Sequence, residues 1–277
     1  MNKTSNNAAL ALVESTAPAV PSRILVTSGD EGNFGKSTLI RHLIRPALAP
    51  YFSAGVRFLA IEEEGRLSTG EDAKFKSTEV TAIISEMEML DADEALIIEI
   101  GAQRFERFTT ELSRVKAGRF TFDKVVVPLG QSFKAEETFK SLVKIIGQGI
   151  DPRRMYVVFN NIELLAISEG TFKASLKTHY KSFIDAVHEL GINVCPTPVM
   201  KSDIFGALRK KVGNENTIMA LASLPADHFT QLAKVARRAG DDAAKNEFLS
   251  MSSIQMQACA MVEDFKQIFS FIFPELM

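Results

Sequence analysis

Long apolar runs, cysteine and histidine are scarce in this chain, and each scarcity excludes something. No stretch of about twenty apolar residues occurs, so the sequence offers no membrane-spanning helix. The two cysteines, Cys195 and Cys259, lack metal or redox spacing, and no pair among the four histidines completes a cluster. They read as reduced thiols of a cytoplasmic protein. Charge of one sign is lacking too. Lys and Arg number 32 against 34 Asp and Glu, a net charge of −2, which argues against a surface built throughout for nucleic acid but allows a local basic patch. No internal repeat is found. What remains, in 277 residues that are 46% hydrophobic, is enough for a sizeable core: one large α/β domain with a helical appendage. Residues 1–21 are rich in Ala, Asn, Ser and Pro, and Glu14 and the prolines interrupt any signal-peptide core, so they read as a disordered leader.

The most informative stretch is Ser28-Gly-Asp-Glu-Gly-Asn-Phe-Gly-Lys-Ser-Thr38, directly after the apolar run 23–27. A short β-rich run, a glycine loop ending in Gly35-Lys36-Ser37-Thr38 and a helical pattern form the layout of a phosphate-binding loop. Glycines let backbone N–H groups close on phosphate oxygens, and the following helix turns its positive end toward them. Lys36 is suited to the β- and γ-phosphates and the Ser37 hydroxyl to Mg²⁺; Gly32, Asn33, Phe34, Gly35 and Thr38 complete the expected cofactor-binding set. The spacing departs from G-x-x-x-x-G-K-[S/T], because Asp30 stands five before Gly35 and Gly29 falls one residue early. A chance Gly-Lys-Ser at an ordinary helix start is the bland alternative.

Beyond the loop, nearly continuous Val, Ile, Leu and Phe runs at 56–61, 95–100, 124–128, 155–160 and 192–195 alternate with helical patterns at 37–48, 78–90, 105–116, 135–146 and 171–190. Runs of that kind suit parallel strands buried on both faces, and the alternation predicts a doubly wound, mostly parallel α/β sheet with helices on both sides. The expected division is a P-loop domain over 22–212 and a C-terminal helical segment, 213–277, packed on it.

In such sheets ligands sit at the carboxyl ends of the strands. The second run ends in Glu62-Glu63-Glu64, more carboxylates than solubility requires; a plain solvated loop is the alternative. The third ends in Glu99-Ile100-Gly101, shaped like a segment whose carboxylate orients magnesium-bound water. The fifth ends in Asn160-Asn161. The Asn160 carboxamide, donor and acceptor together, fits an adenine edge, though asparagine also forms turns. The Cys195-Pro-Thr-Pro198 segment could line the base.

Together these features resemble the ParA/MinD group of deviant P-loop ATPases, and among them plasmid-borne relatives of the StbB/TraL type, over about residues 23–210. The family loop Lys-Gly-Gly-x-Gly-Lys-[Thr/Ser] aligns with Glu31-Gly-Asn-Phe-Gly-Lys-Ser37, its Asp-x-Asp with Glu62-Glu63-Glu64, its Walker B Asp with Glu99 and its base-contacting Asn with Asn160. The resemblance implies ATP and Mg²⁺ as cofactors, Glu62 or Glu64 as the candidate to position an attacking water, and a nucleotide-controlled homodimer that positions DNA or a complex with a plasmid-encoded partner or adaptor. Glu31 replaces the lysine that in the family reaches across the dimer. An acid about 4 Å from a phosphate charge costs about 4 kcal/mol at an effective dielectric near 20, so Glu31 must point away, pair with a cation or sit near Mg²⁺. A non-hydrolysing nucleotide switch is therefore a second reading. Gly29 and Asp30 are also similar to the loop of dethiobiotin synthetase-like ligases, but Glu-Glu-Glu-Gly-Arg stands where those enzymes place Lys-Pro.

Two late features remain. Arg209, Lys210 and Lys211 are either a solvated helix face or a patch for non-specific DNA, and Arg237-Arg238 add two more cations. Val262, Phe265, Ile268, Phe269 and Ile272 recur at helical spacing, with Phe271 and Phe273 extra. Docking on the chain's own domain is the expectation, with a partner or membrane-surface helix as the alternative.

Overall fold

A computed structural model describes residues 21–28, 35–62, 72–114, 122–130, 133–162, 180–210 and 217–277. Its centre is an eight-stranded sheet of β1 (Arg23–Thr27), β2 (Gly55–Ile61), β3 (Ala73–Phe75), β4 (Glu94–Ile100), β5 (Lys124–Leu129), β6 (Met155–Ile162), β7 (Asn193–Val194) and β8 (Val199–Met200). The order is β3-β2-β4-β1-β5-β6-β7, with β8 also paired to β6, and every pairing is parallel. This is the doubly wound α/β architecture that the continuous apolar runs predict.

Three details extend the sequence expectation. The short edge strand β3 has no apolar run to announce it; Asp72 anchors it by exchanging bonds with Phe58, whose N–H donates to the Asp72 carboxylate at 2.8 Å. The last expected run, 192–195, holds β7, and β8 follows beyond it. β7 pairs with Tyr156 and Val157 and β8 with Asn160 and Ile162, so the two are pieces of one edge. Pro196 and Pro198 lie between them and cannot donate to a ladder. The helix after β1 also changes type along its length: α1 (Lys36–Leu39), a π-helical turn (Ile40–Ile44) and α2 (Arg45–Leu48) run on without a break. Pro46 has no N–H for the carbonyl of His42 and its ring crowds that turn, a local reason for the helix to widen there.

The remaining helices are α3 (Val80–Glu88), α4 (Ala102–Arg114), α5 (Ala135–Gly147), α6 (Lys181–Glu189), α7 (Ile204–Lys210), α8 (Ile218–Ser223), α9 (His228–Arg238) and α10 (Asp242–Ile272). They cover two cores, one on each sheet face. Helices α3 to α6 pack on the face of Leu25, Leu59, Ile98, Val127 and Phe159. The run from α1 to α2, with α7, α8 and α10, packs on the face of Val26, Phe58, Ile97, Val126 and Val158. Phe265, Ile268, Phe269, Ile272 and Phe273 of the C-terminal segment are buried in this second core, so the apolar stripe docks on the chain's own sheet. Lys124, at the start of β5, pairs with Glu275 at 3.1 Å and donates to the Tyr156 hydroxyl at 2.9 Å, fastening the chain end to the sheet. Among the described residues no helix is long and apolar enough to cross a membrane.

Candidate functional site

Strand β1 is flanked by β4 and β5, and the chain winds outward from it in both directions, first through β2 and β3, later through β6 to β8. The carboxyl end of β1 is therefore the switch point at which open α/β sheets bind ligands. The loop read as phosphate-binding leaves β1 there and re-enters the described residues at Gly35.

Side-chain alternation explains which groups meet it. Ile24 and Val26 of β1, Val56 and Phe58 of β2, Ala95 and Ile97 of β4, and Tyr156 and Val158 of β6 all face the second core, where the helix beginning at Lys36 packs. The next positions on those rows share that face. They are Ser28, Glu99 and Asn160, and in β2, beyond Ala60, Glu62. Four apolar rows thus end in polar groups on the side of the first helical turn.

Lys36 is 7% exposed, and its ammonium donates to the Ser28 hydroxyl at 3.0 Å. Burial pushes its pKa below the ordinary lysine range, and attraction to Glu99 and Glu62 offsets only part of that cost. Next in the helix, the Ser37 hydroxyl donates to Glu99 Oε1 at 2.9 Å, and Glu99 is 3% exposed. Thr38 follows, half-buried. Glu62 Oε2 is buried and meets no hydrogen-bond donor among the described residues.

Gly35 closes the loop in the left-handed region, φ +70°, a conformation that side chains disfavour. Its carbonyl takes two donors, the Leu39 N–H at 2.9 Å and the Asn160 Nδ2 at 3.3 Å. A Cβ at Gly35 would lie 2.5 Å from that Nδ2, so any side chain there must displace the Asn160 amide. The structure places Asn160 against the loop backbone, 3% exposed. In the segment after β7, Cys195 is buried and burial pushes its thiol up to about 11, while the Thr197 hydroxyl donates to Gln267 of α10 at 3.0 Å.

The structure brings together Gly35, Lys36, Ser37, Glu62, Glu99 and Asn160 of the sequence-predicted set. Glu31, Gly32, Asn33, Phe34 and Glu64 lie outside the described residues, as does Lys211; Arg209 and Lys210 close α7. Sequence reasoning passes over Ser28, the partner of Lys36. The signal was the row Ile24, Val26, Ser28, which ends in a hydroxyl on the helix side.

Among the described residues no three His, Cys, Asp or Glu side chains form a metal cluster. A magnesium ion needs none, since it keeps several waters and takes one or two protein oxygens together with phosphate oxygens. Ser37 Oγ and Glu99 are oxygens of that type. A buried ammonium held by a neutral hydroxyl is equally suited to phosphate oxygens. No family model matches this chain, and no curated protein matches it.

Proposed function

We propose that this chain binds ATP with Mg²⁺ at the loop closed by Gly35, Lys36 and Ser37. In this reading it acts as a ParA/MinD-like, nucleotide-controlled dimer in plasmid partition, stability or conjugative transfer. The observation that carries the proposal is the state of Lys36. Its charge is buried at the carboxyl end of the central strand with its pKa lowered, so the two nearby carboxylates do not repay its desolvation. Phosphate oxygens would repay it.

The roles follow. Lys36 holds the β- and γ-phosphate oxygens. Ser37 Oγ would hold the magnesium ion, and Glu99, which accepts from that hydroxyl, would orient it and the waters of the ion. Glu62, with a buried oxygen that meets no donor among the described residues, is the acceptor for an attacking water. Bound there, magnesium would neutralise phosphate charge. A plasmid-encoded adaptor is the proposed protein partner, and duplex DNA, met through Arg209, Lys210 and Lys211, the proposed nucleic acid.

Calorimetric titration of ATP with Mg²⁺ into wild type and Lys36→Ala tests the site. Wild type should bind and the variant should not, with its fold retained by circular dichroism. Equal affinity would refute the assignment. Phosphate release with and without duplex DNA then separates an ATPase from a switch that binds without turnover.

A further inference from the structure

The residues that fold Asn160 into the site give it a task other than contacting a base. Strand β6 runs regularly through Phe159, which faces the first core, and its pairing with β8 shifts register between Asn160 and Ile162. Asn161 sits at that shift with φ 59°, the one non-glycine positive φ among the described residues, and it is exposed. A bulge adds one residue and reverses the alternation. Accordingly Ile162 returns to the first core, the face of Phe159, while Asn160 stays on the opposite face, beneath the start of α1. The bulge leaves Asn160 as the last side chain of the strand on the loop side.

There it is buried, and its Nδ2 donates to the Gly35 carbonyl, the acceptor that also starts the helix through Leu39. A base edge would need that amide open to the ligand; at 3% exposure it is not. We infer that Asn160 is a positioning residue that sets the Gly35 corner of the phosphate loop and therefore serves any triphosphate, with no part in reading the base. The inference rests on the nucleotide reading of the site and deepens it: selectivity among nucleotides arises elsewhere in the chain.

The test uses full-length wild type, Asn160→Ala and Asn160→Ser, each titrated by calorimetry with ATP, GTP and inorganic tripolyphosphate in the presence of Mg²⁺. Neither replacement reaches the Gly35 carbonyl, and serine keeps a polar group in case alanine fails to fold. The expected result is a loss of about five- to tenfold for all three ligands in parallel, the size of one hydrogen bond. The wild-type ratio of ATP to GTP affinity is then unchanged, and tripolyphosphate, which has no base, falls with the others. Loss confined to ATP, with tripolyphosphate unaffected, would overturn the inference and return Asn160 to the adenine edge. Unchanged affinity for every ligand would overturn it as well. Wild type that binds none of the three would refute the nucleotide reading itself, and this inference with it.

Discussion

Replacing Gly35 by alanine should show how tightly the loop corner and the end of β6 are built against each other. Two separable costs follow from the geometry. The first is conformational: an L-residue held at φ +70° costs about 1–2 kcal/mol. The second is steric. The new Cβ would stand 2.5 Å from Asn160 Nδ2, so the buried amide must rotate and give up the Gly35 carbonyl. A buried amide displaced from its acceptor costs about 1–3 kcal/mol. The single variant should therefore lose about 2–5 kcal/mol. In an Asn160→Ala background the steric cost vanishes and only the conformational one remains, leaving a coupling of about 1–3 kcal/mol. Urea unfolding of wild type, both single variants and the double variant, followed by circular dichroism, closes the cycle. Equal costs for Gly35→Ala in the two backgrounds would refute the reasoning, because the close approach would then carry no energy.

Three further outcomes are expected. Ser37→Ala removes the proposed magnesium ligand, so its ATP affinity measured with Mg²⁺ should fall to the value measured with EDTA; a metal-dependent difference as large as the wild type's would reassign the ligand. Glu62→Gln should bind ATP as wild type does while an active wild type's turnover drops about a hundredfold or more, the range typical of a lost general base; unchanged turnover would make Glu62 part of a solvated strand end. The Lys36 pKa lies below its ordinary value of 10.5 in the fold, so between the two values the unfolded chain holds more protons. The ligand-free fold should then gain stability as pH rises through that window, and Lys36→Met should flatten the rise; parallel pH curves for the two proteins would argue against a desolvated Lys36.

The strands were legible because burial on both faces leaves continuous apolar runs, and β1, β2, β4, β5 and β6 fall within two residues of the runs that announce them. Glu99 and Ser37 were legible as a pair because strand end and helix start each carry their own local signal. Other features depend on residues distant in the chain. Strand β3 is three residues long, and an aspartate bonded to Phe58 of β2 anchors it, so its own composition says nothing. The C-terminal stripe gave the helix, but not the ring contacts that settle it, Phe271 against Tyr156 at 5.9 Å and Phe269 against Tyr51 at 6.3 Å.

Asn160 shows where reading by residue type stops. A carboxamide at a strand end suits a base edge as well as a backbone carbonyl, and nothing in Phe159-Asn160-Asn161 separates the two. Register accounts for the contact with the backbone carbonyl. Val158 lies on the helix side of the sheet, so Asn160 does too, and the bulge at Asn161 ends the row before another side chain can follow. The glycine 125 positions earlier supplies the acceptor and the space. The same parity argument brings Ser28 to Lys36 and Glu99 to Ser37. The site is therefore specified by where each apolar row stops as well as by the loop motif. A substitution that shifted the bulge by one residue would move Asn160 off the loop without altering a single residue that faces a ligand.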